Sequence, residues 1–162
     1  MYDLITIGSG PAGLSAAIYG KRAGLNLLVL EKNPMSGGQV LNTYEVDNYL
    51  GMPGADGFDM GMKFREHADK VGVEFREASA LSIENGEEGK LIRTDGGDLT
   101  ARAVILATGA VHAVLGAEGE ERLSGRGVSY CATCDGAFFR GKTAAVVGGG
   151  DVALEDAIYL AR

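Results

Sequence analysis

The sequence predicts an α/β protein: a Rossmann-like first domain, in which a parallel sheet carries a small antiparallel meander, followed by the start of a second Rossmann-like domain. Three observations carry that prediction. Apolar runs of strand length, continuous rather than alternating, recur at Tyr2–Gly8, Leu25–Glu31 and Arg102–Gly109, the pattern of strands covered on both faces. The first two flank a segment with helical apolar spacing, so strand, helix and strand fit the span of a βαβ unit. A glycine-rich turn, GSGPAG, joins that first strand to its helix, and a second, GGGDVA, follows a later apolar run.

Taken in order, YDLITIG (Tyr2–Gly8) reads as a buried strand. PAGLSAAIYGKRAG follows as a helix, with Leu14, Ala17, Ile18 and Ala23 at helical spacing and Gly24 placed to end it. LNLLVLE (Leu25–Glu31) is the second strand. Residues 32–56 are rich in Gly, Asn and Pro and read as a loop long enough to carry function. A helix is expected from about Phe58 to Val71. Residues 73–101 read as short strands broken at ENGEEG and DGGD, the antiparallel meander. RAVILATG (Arg102–Gly109) returns to the buried-strand pattern. AEGEERLSGRG (Ala117–Gly127) is polar and glycine-rich and marks the crossing between domains, which are drawn as 1–116 and 117–162. KTAAVVGGG (Lys142–Gly150) is expected as the strand that opens the second domain, and DVALEDAIYLAR as its helix. One strand and one helix bury no core of their own, so that domain is expected to be incomplete. The two glycine-led units make a weak internal repeat, not a solenoid.

Composition narrows the function classes. The chain has 26 glycines, against the roughly 11 that average usage would give, which implies tight turns and close backbone approaches. Its net charge is −7 with the signs interspersed, and this disfavours nucleic acid or an anionic membrane as partner. No apolar stretch approaches the ~20 residues of a membrane-spanning helix. The N-terminus, MYDLITIGSG, lacks a basic region and reads directly as a strand, so a cytoplasmic location is expected. In that reducing compartment two close cysteines point to catalysis or metal binding rather than to a staple.

The first glycine motif, Gly8-Ser9-Gly10-Pro11-Ala12-Gly13, is a full G-x-G-x-x-G in the right setting. It follows a strand and opens a helix, and Glu31 closes the next strand. Gly8 permits the turn, Gly10 lets a pyrophosphate approach the backbone, and Gly13 allows helix and strand to pack closely. Glu31 can accept hydrogen bonds from ribose hydroxyls. The second motif, Gly148-Gly149-Gly150-Asp151-Val152-Ala153, is the G-x-G-x-x-A variant. The strand that would read the ribose 2′ position lies past Arg162, so NAD and NADP are not separated. GAFFRGKT (Gly136–Thr143) spells a phosphate loop, but that loop needs a strand before it and a helix after it. The apolar, partly β-branched TAAVV that follows inverts this order, and the match is set aside.

The only cysteines, Cys131 and Cys134, sit in SYCATCDGAFF. Structural zinc takes four ligands, and the two histidines, His67 and His112, stand at unlike spacings and read as surface or loop residues. A disulfide across so short a loop removes little chain entropy. C-x-x-C suits reversible dithiol–disulfide chemistry, in which one thiolate attacks and the other resolves. Asp135 can give or take a proton beside them, or serve only as the turn residue of CDG. Two dinucleotide folds and a redox dithiol together suggest an electron relay from nicotinamide to flavin to disulfide.

The segments GSGPAGLSAAIY, GGQVLNTYEVDNYLG, ILATGA, GRGVSYCATCDGAFFRGK and VVGGGDVALEDAIYLA run along essentially the whole chain. Together they resemble the N-terminal half of the bacterial, low-molecular-weight thioredoxin reductases, of the pyridine nucleotide-disulfide oxidoreductase family. The resemblance implies an enzyme passing electrons from NADPH through FAD to the cysteine pair and on to thioredoxin or a thioredoxin-like protein. FAD would lie on Gly8 to Gly13, with Glu31 and Lys32 toward its ribose and Gly38, Gln39 and Asn48 toward the flavin and phosphates. Thr108, Gly109 and Ala110 would border it, and NADPH would bind at Gly148 to Ala153. Cys134 would face the flavin, Cys131 would exchange with the protein substrate, and Asp135 would be the acid–base group. A homodimer and a rotation between domains belong to the same picture, as does a returning C-terminal part of the FAD domain that this chain does not contain. VHAVLGAEGEE lacks the family's basic residue and proline, and Leu50 stands where proline is usual. Alternative readings are an enzyme with another electron donor, or a flavin-binding module completed by a second chain.

Overall fold

In the computed structural model, which describes all 162 residues, the first apolar run becomes the inner strand on which the other elements are arranged. The expected unit forms as β1 (Tyr2–Ile7), α1 (Pro11–Arg22) and β2 (Leu27–Glu31). A 3-10 turn at Gly38–Asn42 breaks the long loop, and α2 (Gly57–Lys70) follows. Then come β3 (Glu74–Glu77), β4 (Ala80–Asn85), β5 (Lys90–Thr94) and β6 (Leu99–Leu106). These make one six-stranded sheet in the order β3-β2-β1-β6-β5-β4. β3, β2, β1 and β6 run parallel, while β6, β5 and β4 pair antiparallel.

The expectation for residues 73–101 needs one correction. The first strand in that stretch, β3, is not in the meander but pairs in parallel with β2, Leu28 opposite Glu74. The helix α2 before it acts as a crossover, returning the chain so that the next strand points the same way as the last. The hairpin β4–β5 and the first residues of β6 alone form the antiparallel part.

Period-two alternation divides the core between the faces of the sheet. Leu4, Leu27 and Val29 face Leu14 and Ala17 of α1 and Ala68 of α2, with Val73 completing the cluster. Ile5, Ile7, Leu28 and Leu30 face the other way and pack with Ala78, Ile92 and Ala101. The continuous apolar pattern of β1 and β2 thus reflects burial on both faces. α1 starts with Pro11 and is capped at its end by Ala23, after which Gly24 takes a positive φ. α2 is capped by Asp56, whose carboxylate accepts from the N–H groups of Phe58 at 2.8 Å and Asp59 at 3.2 Å.

The chain divides into two compact units, Met1–Ala110 and Val111–Arg162; the boundary drawn from sequence lies at 116/117. The second unit holds α3 (Glu120–Leu123), α4 (Ala132–Asp135), a 3-10 turn at Gly136–Phe139 and α5 (Asp151–Leu160). Only Glu120 and Ala132 are buried in it. The strand expected in Lys142–Gly150 does not form: these residues are irregular and exposed. A parallel strand exists only where a neighbour supplies its ladder, and the unit contains no strand to do so. No helix of the protein is long and apolar enough to cross a membrane.

Because Ile5 is fully buried between strands, Ile5→Ala should lower unfolding free energy by about 2–5 kcal/mol. Glu87→Ala, at an exposed turn, should change it by less than ~0.5 kcal/mol. Urea titrations followed by far-UV circular dichroism measure both.

Candidate functional site

β1 is followed in sequence by a strand on one side of it and, much later, by β6 on the other, so the order of the sheet reverses between β1 and β6. The carboxyl ends of strands at such a reversal leave a crevice, the usual ligand position in parallel α/β sheets. Three loops converge there. The glycine turn leaves β1, residues 32–39 leave β2, and residues 107–110 leave β6.

Each glycine of the first motif has its own spatial reason. Gly8 has φ +104°, and a Cβ on it would lie 2.2 Å from the Ala107 carbonyl oxygen. A Cβ on Gly13 would lie 2.0 Å from the Gly8 oxygen, so α1 starts hard against the end of β1. Gly10 meets nothing closer than the Gly38 Cα at 3.9 Å, which leaves its backbone open. Gly10 is also the N-cap of α1, with no side chain capping it, Pro11 just inside and no acid in the first turn. The positive end of the helix is therefore free to meet an anion.

The other loops close on this turn. Gly37 N–H donates to the Ser9 carbonyl at 2.9 Å. A Cβ on Gly38 would stand 3.2 Å from the Gly10 Cα, and the Gln39 side-chain amide donates to the Ala110 carbonyl. Thr108 passes beside Gly8, and Gly109 turns the chain with Ala110, all three lying exposed or at the rim. Lys32 is exposed beside Glu31, and Asn48 is exposed on the loop before α2, making no hydrogen bond to the glycine turn. Gly8 to Gly13, Glu31, Gly38, Gln39, Thr108, Gly109 and Ala110 are thus brought together, while Asn48 is not.

Glu31 holds the arrangement. Its Oε2 accepts from Ser9 N–H at 2.9 Å and Ser9 Oγ at 2.7 Å, and its Oε1 from Asn33 N–H at 2.9 Å and Asn33 Nδ2 at 3.2 Å. Partial burial works against its charge, but the donors from Ser9, Asn33 and Lys32 outweigh it and hold the carboxyl below its usual range. Beside it opens a cleft of about 210 Å³ lined by Asn33, Ser36, Arg65, Phe75 and Arg76. Arg65 stacks 3.6 Å above the Phe75 ring and donates to Ser36 Oγ at 3.0 Å. Sequence reading missed these groups. They come from the loop after β2, from α2 and from β3, with no shared motif to join them.

In the second unit the glycine turn repeats the relation of first to third position. Gly148 has φ +140°, and a Cβ on it would lie 2.9 Å from the Ala153 Cβ. Gly149 and Gly150 face open space, and Asp151 opens α5, with Val152 exposed beside it. A cleft of about 460 Å³ joins Gly148 to Ser129 and Tyr130, immediately before the cysteines.

Cys131 and Cys134 are disulfide-bonded, with Cα atoms 5.3 Å apart, Cys131 at the N-cap of α4 and Cys134 within that turn. Cys131 is half-buried and Cys134 exposed. The Cys131 carbonyl accepts from the N–H groups of Cys134 at 3.2 Å and Asp135 at 3.1 Å. Thr133 Oγ1 lies 3.4 Å from Cys131 Sγ. Ser129 Oγ accepts from Cys131 N–H at 3.1 Å and bonds Asp135 Oδ2.

A second group that sequence reading missed is Glu120. Its carboxylate accepts from Tyr130 Oη at 2.6 Å and from the N–H groups of Leu115, Gly116 and Ala117 at 2.9, 2.6 and 3.0 Å. Led by the Tyr130 bond, these donors push its pKa down to about 2, and the same bond raises that of Tyr130. His112 stacks on the Tyr130 ring at 3.5 Å. Glu120 thereby ties the entry of the unit to the residue before Cys131.

The family described as pyridine nucleotide-disulphide oxidoreductase matches residues 2–162. The chain is 47% identical over 162 residues to the thioredoxin reductase of Bacillus subtilis, covering all of this chain and 51% of that protein. It is 48% identical to the thioredoxin reductase of Listeria monocytogenes, over all of this chain and 50% of that one. The crystal structure of thioredoxin reductase from Streptococcus pyogenes superposes with a TM-score of 0.92 at 46% identity, over 99% of this chain and 52% of that one. The chain thus spans about half the length of the curated relatives it matches.

Gly13→Ala, which forces the helix off the strand, should cost about 1–3 kcal/mol, whereas Gly10→Ala, with open space around it and only the poorer N-cap to count against it, should cost no more than ~1 kcal/mol. Denaturant titration of the pair checks both. For Glu120, a carboxyl depressed from 4.5 to about 2 adds stability that is fully present above pH 4.5. That stability disappears as pH falls toward 2. The gap in stability between the protein and its Glu120→Gln variant should therefore be constant near neutral pH and close between those two values.

Proposed function

The chain belongs to the pyridine nucleotide-disulphide oxidoreductase family, and from that premise we propose that it forms part of a thioredoxin reductase. The observation that carries this reading is the bonded Cys131–Cys134 pair, held on an accessible turn in a chain that also bears two dinucleotide-type glycine turns.

The first turn fits FAD. It offers an open backbone at Gly10 and an uncapped helix start for the pyrophosphate, with Glu31 and Lys32 on the ribose side. Gly38, Gln39, Thr108, Gly109 and Ala110 are the neighbouring contacts, and Asn48 needs its loop to move toward them. NADPH is assigned to Gly148, Gly149, Gly150, Asp151, Val152 and Ala153, where two glycines expose their backbone. FAD, when bound, accepts an electron pair from a nicotinamide and passes it to a disulfide.

The chain's own residues carry the thiol steps. With the pair reduced, the Cys131 thiolate attacks one sulfur of the thioredoxin disulfide, forming a mixed disulfide and expelling the partner's other sulfur as a thiolate. Cys134 then attacks Cys131, which re-forms their bond and releases the second thioredoxin thiolate. Asp135 takes the proton that Cys134 gives up. Thioredoxin is reduced by two electrons and the pair is oxidised by two. In this reading the enzyme is a cytoplasmic homodimer that engages neither nucleic acid nor membrane.

A second reading is a flavin-binding module completed by another chain. It is favoured by the second unit, where only Glu120 and Ala132 are buried. In the full-length enzyme, Cys131→Ser or Cys134→Ser should reduce NADPH-dependent thioredoxin reduction to background, and retained turnover by either variant would sink the first reading. Gel filtration and visible absorbance of the purified 162-residue chain, with NADPH and NADH compared as donors, separate it from the second. Bound FAD without turnover favours the module.

A further inference from the structure

Ser129 is the least conspicuous polar group around the disulfide, yet the geometry points to it as the residue that positions Asp135. This rests on the proposed redox reading of the cysteine pair. The Ser129 hydroxyl has one proton and two lone pairs, and three groups surround it. Cys131 N–H donates to it at 3.1 Å, the Cys131 carbonyl lies at 3.2 Å, and Asp135 Oδ2 lies against it. One lone pair is thus engaged, and a single proton serves two acceptors.

The competition has a definite outcome. The Cys131 carbonyl already accepts from Cys134 N–H and Asp135 N–H, so a third donor to it is held only weakly. An ionised carboxylate is also the stronger acceptor. While Asp135 is ionised, the Ser129 proton therefore points to Asp135. When Asp135 carries a proton, that proton donates to the free lone pair of Ser129, and the hydroxyl turns toward the Cys131 carbonyl. Both states are hydrogen-bonded without moving a heavy atom. Ser129 holds the carboxyl of the residue that follows Cys134 in both protonation states, and its own main chain is only two residues from Cys131, so the holder and the held group ride on one turn.

The reaction it serves can be written with a small dithiol. A thiolate of dithiothreitol bonds to Cys131 Sγ as the Cys131–Cys134 bond breaks. The electron pair leaves on Cys134 Sγ, which takes the proton of Asp135, and the resulting carboxylate is met by the Ser129 hydroxyl. The second reagent thiol then closes the cyclic disulfide and frees Cys131, so the reagent loses two electrons and the pair gains two. Asp135 is reprotonated from water.

The test uses the 162-residue chain as it is, with thiols trapped at intervals during reduction by dithiothreitol at fixed pH. Ser129→Ala should slow reduction about tenfold, a part of the ~10²–10⁴ that a placed acid contributes. Ser129→Thr, which keeps the hydroxyl at an exposed position, should restore the rate to within about twofold, well inside the loss expected for the alanine variant. The equilibrium with dithiothreitol should be the same for all three. In an Asp135→Asn background, Ser129→Ala should have no further effect, because the two act as one unit. A Ser129→Ala rate equal to the parent, with Asp135→Asn slow, overturns the positioning role and leaves the acid–base reading standing. A parent rate for Asp135→Asn overturns that reading itself. A Ser129→Ala effect that persists in the Asp135→Asn background, or that threonine fails to rescue, shows the serine acting on the backbone alone and also overturns the proposal.

Discussion

The missing side chain at Gly13 is the constraint on which the first unit depends. With a Cβ there, 2.0 Å from the Gly8 oxygen, α1 could not begin where β1 ends. That contact sets the angle at which α1 lies over the sheet, and with it the packing of Leu14 and Ala17 on Leu4, Leu27 and Val29. It also fixes where β2 returns and so where Glu31 arrives. One absent methyl group thereby couples a buried cluster to the ligand edge of the sheet.

The parts legible in the sequence are those whose cause is local. Glycines with a steric reason, a strand buried on both faces and a helix with an apolar stripe announce themselves within a few residues. Glu31 was legible because its place follows from the βαβ unit. Gly38, Gln39, Thr108 and Ala110 were legible only through resemblance, since nothing in residues 32–56 or 107–110 alone says that they meet. Arg65 and Phe75 were not legible at all. Their stacking depends on α2 and β3 having docked, and an arginine on a helix reads as solvated until then.

The second unit marks the limit more sharply. TAAVV has strand composition, but strand composition is a preference for a pleated, half-buried surface, and residues 142–150 have no ladder to join. Glu120 was hidden for the opposite reason. In a segment read as a polar crossing it is one acid among several, and only folding gathers three consecutive backbone N–H groups and a phenol around it. Such concave runs of amides bind anions. Here the anion is a side chain of the same unit, and the loop is ordered from within.

The full complement of donors on Glu31 has a thermodynamic meaning. Four hydrogen bonds from Ser9 and Asn33 already load both oxygens of the carboxylate. A hydroxyl group coming to this edge does not fill a vacancy; it exchanges for a bond the protein already makes. The net gain at Glu31 is then the small difference between two similar bonds. In the proposed reading, Glu31 discriminates among ligands chiefly by whether they can make that exchange, and most of the affinity comes from the helix end and the glycine backbone.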